Sequence, residues 1–199
     1  MKHQIILVHG GSTFDAYGDY LQFLKTFDAT LEYLRKRSWR DSFESSLGNS
    51  FEVVKLQMPN KTNARYTEWK LYFERYIPLF NNEVTLIGHS LGGIFLAKYL
   101  SENAYPKKIR ATYLLATPYD SLGLEESLGD FALTAPLLRF ASQSPRIFIF
   151  HSEDDPVVPV SHAEKYKAQL AHAEVIMLKE KKHLNMIDFP ELVRHVKGD

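Results

Sequence analysis

Residues 88–92 read Gly-His-Ser-Leu-Gly, a serine with a glycine two positions away on each side. A serine in such a segment can attack an acyl carbon if a sharp turn lifts its hydroxyl clear of the chain and a base takes its proton. The flanking residues fit that use. The β-branched run "EVTLI" (83–87) leads straight into the motif, and "LGGIFLAKYL" (91–100) follows with helical periodicity. In a strand–turn–helix of this kind the serine backbone is strained, and side chains at 88 or 92 would collide with it or with neighbouring strands; hence Gly88 and Gly92. The alternative is a serine that only caps its helix, with glycines for close packing. The two readings are compatible, because a serine at a helix N-terminus lies beside free backbone N–H groups, that of Leu91 first, which favour developing negative charge.

Ser90 needs a base, and the base an orienting carboxylate; behind this motif the expected chain order is Ser, then Asp or Glu, then His. His162, His172, His183 and His195 follow the acids near residue 154. His162 and His195 fall in helical patterns, and His172 lies just before a strand. His183, in "KEKKH" directly after the strand "AEVIML", is at the C-terminal edge where open parallel sheets bind ligands, and it is the candidate base. The segment "RIFIFHSEDDPVVP" ends another strand in Glu153, Asp154 and Asp155. Asp155 is the candidate acid, Asp120 its rival, and capping of the next helix the non-catalytic alternative. The 28 residues separating Asp155 from His183 accommodate one helix and one strand, so the two loops should emerge side by side.

An oxyanion hole needs a second donor besides Leu91 N–H, and "IILVHGGST" turns at His9, Gly10 and Gly11 on the same edge. Gly11 N–H is the candidate, with Ser12 N–H as its substitute. The turn lacks the Gly-x-x-x-x-Gly-Lys and Gly-x-Gly-x-x-Gly patterns of nucleotide loops. His9 and His89 are expected to orient or pack rather than to act as bases, and no cluster calls for a metal or another cofactor.

The elements that must hold these residues follow from periodicity. Strands are predicted at 4–8, 51–57, 83–87, 109–116, 146–150 and 173–178, and helices at 19–37, 66–80, 90–103, 160–171 and 186–197. That alternation predicts an α/β fold: a compact six-stranded, mostly parallel sheet with helices on both faces, in one domain over 1–199. Two connections break the rhythm. Residues 38–50 are rich in serine and charge. Residues 117–145 are too long and apolar for an ordinary linker and should form either a small cap or an embellished crossover helix.

Composition narrows the partners. Lys plus Arg and Asp plus Glu number 24 each, so no net field draws the chain to nucleic acid or an anionic membrane. Without cysteine there is no disulfide or thiolate chemistry, and the N-terminal apolar run is too short for a signal peptide. A cytoplasmic protein acting on a small-molecule acyl substrate is expected; its oligomeric state is not legible.

Together, "LVHGGS", "IGHSLGG", "EDDPVVP" and "KKHLN" resemble the α/β-hydrolase family over nearly the whole chain. The short length and "LQMPNKTNARYTEWK" before a helix resemble, more narrowly, the small serine hydrolases related to the retinoblastoma-binding hydrolase. Motif by motif, the resemblance implies nucleophile Ser90, acid Asp155, base His183 and oxyanion donors at Gly11 and Leu91. It also implies that the first and third strands are neighbours with the second outside the first. The chain departs from the full pattern by lacking two leading strands, and no residues match the retinoblastoma-binding function. The expected activity is that of a serine hydrolase of carboxylic esters; an amide, peptide or thioester substrate and a non-catalytic binding protein on the same fold are the alternatives.

Overall fold

The computed structural model describes residues 2–198. The elements are β1 (His3–Val8), α1 (Tyr17–Thr26), α2 (Leu31–Arg35), α3 (Trp39–Leu47), β2 (Phe51–Leu56), α4 (Tyr66–Tyr76), β3 (Glu83–His89) and α5 (Leu91–Glu102), followed by β4 (Lys108–Leu115), α6 (Leu138–Gln143), β5 (Ile147–Ser152), α7 (Ser161–Gln169), β6 (Glu174–Leu178) and α8 (Pro190–Lys197). Short 3₁₀ turns cover Ile77–Leu79 and Gly129–Phe131.

All strand pairs are parallel, in the order β2-β1-β3-β4-β5-β6. The central strands hold unbroken apolar runs, such as IILV in β1 and IFIF in β5, because both faces are covered. In β1, Ile6 and Val8 point to the face packed by α4 to α7, among Trp69, Phe73, Phe95, Phe140 and Tyr166. Ile5 and Leu7 point to the other face, which Trp39 and Phe43 of α3 and Leu192 of α8 cover. The chain leaves β1 for β2 on one side and returns to β3 on the other, so the turns after β1 and β3 lie together at the C-terminal edge.

Three expectations about elements need correction. The predicted helix 19–37 is two short helices, broken where Thr30 starts a new one by accepting the Tyr33 N–H. Neither α1 nor α2 buries a residue. Residues 38–50, expected to be irregular, contain α3. Its start is fixed by the Asp41 carboxylate accepting the Ser38 N–H at 2.9 Å, and Trp39, Phe43 and Leu47 form its buried stripe. The predicted helix at 186–197 begins only at Pro190: proline disfavours helical geometry in the residue before it and suits the first helical position itself.

In residues 117–145 the chain first crosses the C-terminal edge as a loop, then buries Phe131, Leu137 and Phe140 in the core. His162 on α7 holds that loop: Tyr119 N–H donates to its Nδ1 at 2.9 Å, and its Nε2 donates to the Leu122 carbonyl at 2.9 Å. No helix among the described residues is long and apolar enough to cross a membrane.

Candidate active site

Ser90 joins β3 to α5 with φ 53° and ψ −121°, a backbone geometry that costs a non-glycine residue about 1–3 kcal/mol. It is held there by its N–H donating to the Leu115 carbonyl at 2.8 Å and its carbonyl accepting the Gly93 N–H at 2.9 Å. The space around it admits only glycine. A Cβ on Gly88 would stand 2.5 Å from the Gly92 carbonyl oxygen, and one on Gly92 would meet the carbonyls of Val8 and His9. The serine hydroxyl makes no capping hydrogen bond to α5, contrary to the expectation that Ser90 also caps its helix. Ser90 and His183 line the same cleft.

His183 stands in the loop after β6, where Glu180, Lys182 and Leu184 all take positive φ. That contorted loop is clamped by Asp154, whose Oδ1 accepts the backbone N–H groups of Lys181 and Lys182 at 3.2 and 3.1 Å. The imidazole Nδ1 lies 2.9 and 3.1 Å from the two carboxylate oxygens of Asp155, and it is the donor there if that acid is ionised. The Asp155 side chain is fully buried, and its Oδ1 also accepts the N–H groups of Val157 and Val158 at 2.8 and 3.0 Å. These bonds orient the carboxylate toward the ring and leave His183 Nε2 for the cleft.

Of the two N–H groups weighed in the first turn, that of Ser12 is spent on the Lys61 carbonyl at 2.9 Å. The Gly11 N–H has no acceptor among the described residues. The same Lys61 carbonyl would stand 2.5 Å from a Cβ at Gly11, so glycine is required for this close approach. Leu91 N–H is the first of α5, one of the donors that helix geometry leaves unpaired.

Two recesses meet at Ser90 and Gly11. One, of about 160 Å³, is walled largely by apolar side chains, among them Leu91, Leu124, Leu128, Val157 and Val158. The other, of about 680 Å³, is wider, runs past His183 and is lined by polar and basic groups together with Tyr33, Leu34 and Val157. The loop at 118–128 walls the first recess.

A serine hydrolase family model matches residues 33–188. The chain belongs to the serine hydrolase family. Its fold is similar to that of the ydeN gene product from B. subtilis (TM-score 0.79, 16% identity, covering 99% of this chain and 98% of that one). It is also similar to a lipase-esterase related protein from Clostridium acetobutylicum (TM-score 0.62, 12% identity, 98% and 93% covered) and to the esterase domain of a Rhodothermus marinus protein (TM-score 0.61, 14% identity, 98% and 83% covered). No curated protein sequence matches the chain. The neighbours are α/β-hydrolases, and the six-stranded parallel sheet of this serine hydrolase is similar to their fold.

Asp120, His172 and His195 lie away from Ser90, whereas His9 lines the wider recess. Asp120 pairs with Lys165 at 2.7 Å and accepts the Leu122 N–H, so it serves the loop rather than His183. His172 bonds the Ser144 carbonyl, and His195 packs edge-on against Tyr113, Phe148 and Phe150. His9 accepts the Met58 N–H on Nε2 and packs against Trp69.

His89 does more than pack. With its Nδ1 accepting from Arg40 Nη2 at 2.6 Å, its Nε2–H is free to donate to the His183 carbonyl at 2.9 Å. Burial, then the nearby Arg40 charge, pushes its pKa well down, so it bridges these groups as a neutral ring. Trp39 adds a second tie from α3, donating Nε1–H to the Leu184 carbonyl at 2.9 Å. Sequence reasoning missed Arg40 and Trp39 because it missed α3; the signal was there in apolar side chains at 39, 43 and 47, four residues apart.

Proposed function

We propose that this serine hydrolase cleaves carboxylic esters of small molecules through a triad of Ser90, His183 and Asp155. The observation that carries the reading is the paired acid and ring, Asp155 against His183 Nδ1 at 2.9 Å, opening on the cleft that holds the strained Ser90. His183 Nε2 takes the hydroxyl proton as Ser90 Oγ attacks the acyl carbon. Asp155 holds the tautomer and stabilises the imidazolium without itself taking the proton. The oxyanion of the tetrahedral intermediate accepts from Gly11 and Leu91 N–H. Its collapse expels the alcohol, which leaves with the proton from His183, and water deprotonated by the same ring then frees the acid. Ester chemistry is supported by the folds it shares with a lipase-esterase related protein and an esterase domain.

The test is turnover of para-nitrophenyl butyrate together with labelling by a fluorophosphonate. Ser90→Ala should lower turnover by several orders of magnitude and remove the label with the fold intact, and His183→Ala should slow labelling. Undiminished turnover by Ser90→Ala would refute the assignment.

A further inference from the structure

The wider recess carries a charge that the chain as a whole does not. The sequence is neutral overall, yet Lys36, Arg37, Arg40 and Lys61 line this recess against a single carboxylate, Glu126. Arg40 is the most telling of them. It is half-buried, and its Nε is fully buried with no hydrogen-bond partner. Its Nη2 is used by His89 and reaches Asn185 at 3.4 Å, but Nη1 has no acceptor among the described residues. No carboxylate among the described residues forms a salt bridge with it. Burying a guanidinium without an anion is costly, and its planar fork matches the oxygens of a carboxylate or phosphate.

The chemistry assigns the two recesses to the two halves of a substrate. In acyl transfer the base returns its proton to the departing group, so that group must lie on the side of His183. His183 lines the basic recess and not the apolar one. We infer that the leaving group carries an anionic oxygen acid, a carboxylate or a phosphate, received by Arg40 with Lys61 and Arg37, and that the acyl group is short and apolar. The inference rests on the roles proposed for Ser90 and His183. It names the substrate class as short-chain acyl esters of anionic alcohols. The 2.6 Å contact of Arg40 with His89 also means that an arriving anion is bound next to the group that holds the His183 loop.

The experiment compares two esters on the intact protein: para-nitrophenyl butyrate and its ring-carboxylated analogue, with the carboxylate beside the nitro group. The analogue should be favoured in kcat/KM by about tenfold, the scale of one hydrogen bond between charged groups. That ratio should fall toward one in Arg40→Gln, in Lys61→Gln, and in high sodium chloride, which screens the exposed part of the site. Lys61 is exposed, so its substitution tests the idea even if Arg40→Gln fails to fold. Equal turnover of both esters, or a preference that survives both substitutions, overturns the inference and leaves the hydrolase reading standing. Hydrolysis of neither ester removes the hydrolase reading and the inference with it.

Discussion

Asp155 meets two demands at once. Its Oδ1 accepts the N–H groups of Val157 and Val158 while both oxygens face His183 Nδ1. An amide in its place cannot accept on every side: if its oxygen keeps the two backbone donors, its NH₂ confronts the ring N–H and favours the wrong tautomer. Asp155→Asn should therefore lower kcat on para-nitrophenyl butyrate by about 10⁴-fold, with stability reduced by roughly 1–3 kcal/mol for the mismatched buried donors. Steady-state kinetics and a urea melt check the two parts. At Gly92 the constraint is steric, since its Cβ would meet the Val8 and His9 carbonyls. Gly92→Ala should drive the strands and α5 apart and lower the yield of soluble protein, readable in a thermal melt. The requirement at Gly92 was legible in the sequence only as the spacing of the motif, because the carbonyls that enforce it belong to Val8 and His9, which the parallel pairing of β1 with β3 brings there from far away in the chain.

At the scale of elements, α3 ties down the loop that carries His183. Trp39 packs on Phe43 and Phe189, and its indole N–H reaches the Leu184 carbonyl beside His183. Its backbone N–H also donates to the Met186 carbonyl at 2.8 Å. Trp39→Phe keeps much of the packing and the backbone bond to Met186, but leaves the buried Leu184 carbonyl unpaired. The expected cost is about 1–3 kcal/mol in unfolding free energy, with a lower kcat and a KM that changes less, measurable by denaturant titration and ester kinetics. The strands were readable from short runs rich in β-branched and aromatic residues, such as IILV in β1 and IFIF in β5. The stripe of α3 was not, because it holds only three buried side chains among serines and charges.

For the whole molecule, burial is the leading cause of lowered pKa at six histidines: His3, His9, His89, His151, His162 and His195. In the unfolded chain each takes up a proton near 6.5, whereas the folded protein resists it. Below that pH the unfolded state binds more protons, so stability rises with pH through the window and is lost as pH falls. The melting temperature should thus drop steadily from about pH 6.5 to about pH 5 and stay nearly flat from about pH 7 to about pH 8. A flat profile from about pH 7 to about pH 5 in differential scanning calorimetry would contradict this.

The sequence by itself determined what is local: the glycine-flanked serine between a strand and a helix, the acid and histidine placed at strand ends in order, and the alternation that makes a parallel sheet. Those features follow from neighbours in the chain, where steric need and periodicity act. Only the tertiary structure decided which N–H groups are free, spending that of Ser12 on Lys61 and leaving that of Gly11. Only it brought Arg40 to His89, 49 residues away in the chain, and set one basic and one apolar recess on either side of Ser90. Such contacts depend on how crossovers bring distant segments together at one sheet edge, and no periodicity within a segment encodes that meeting.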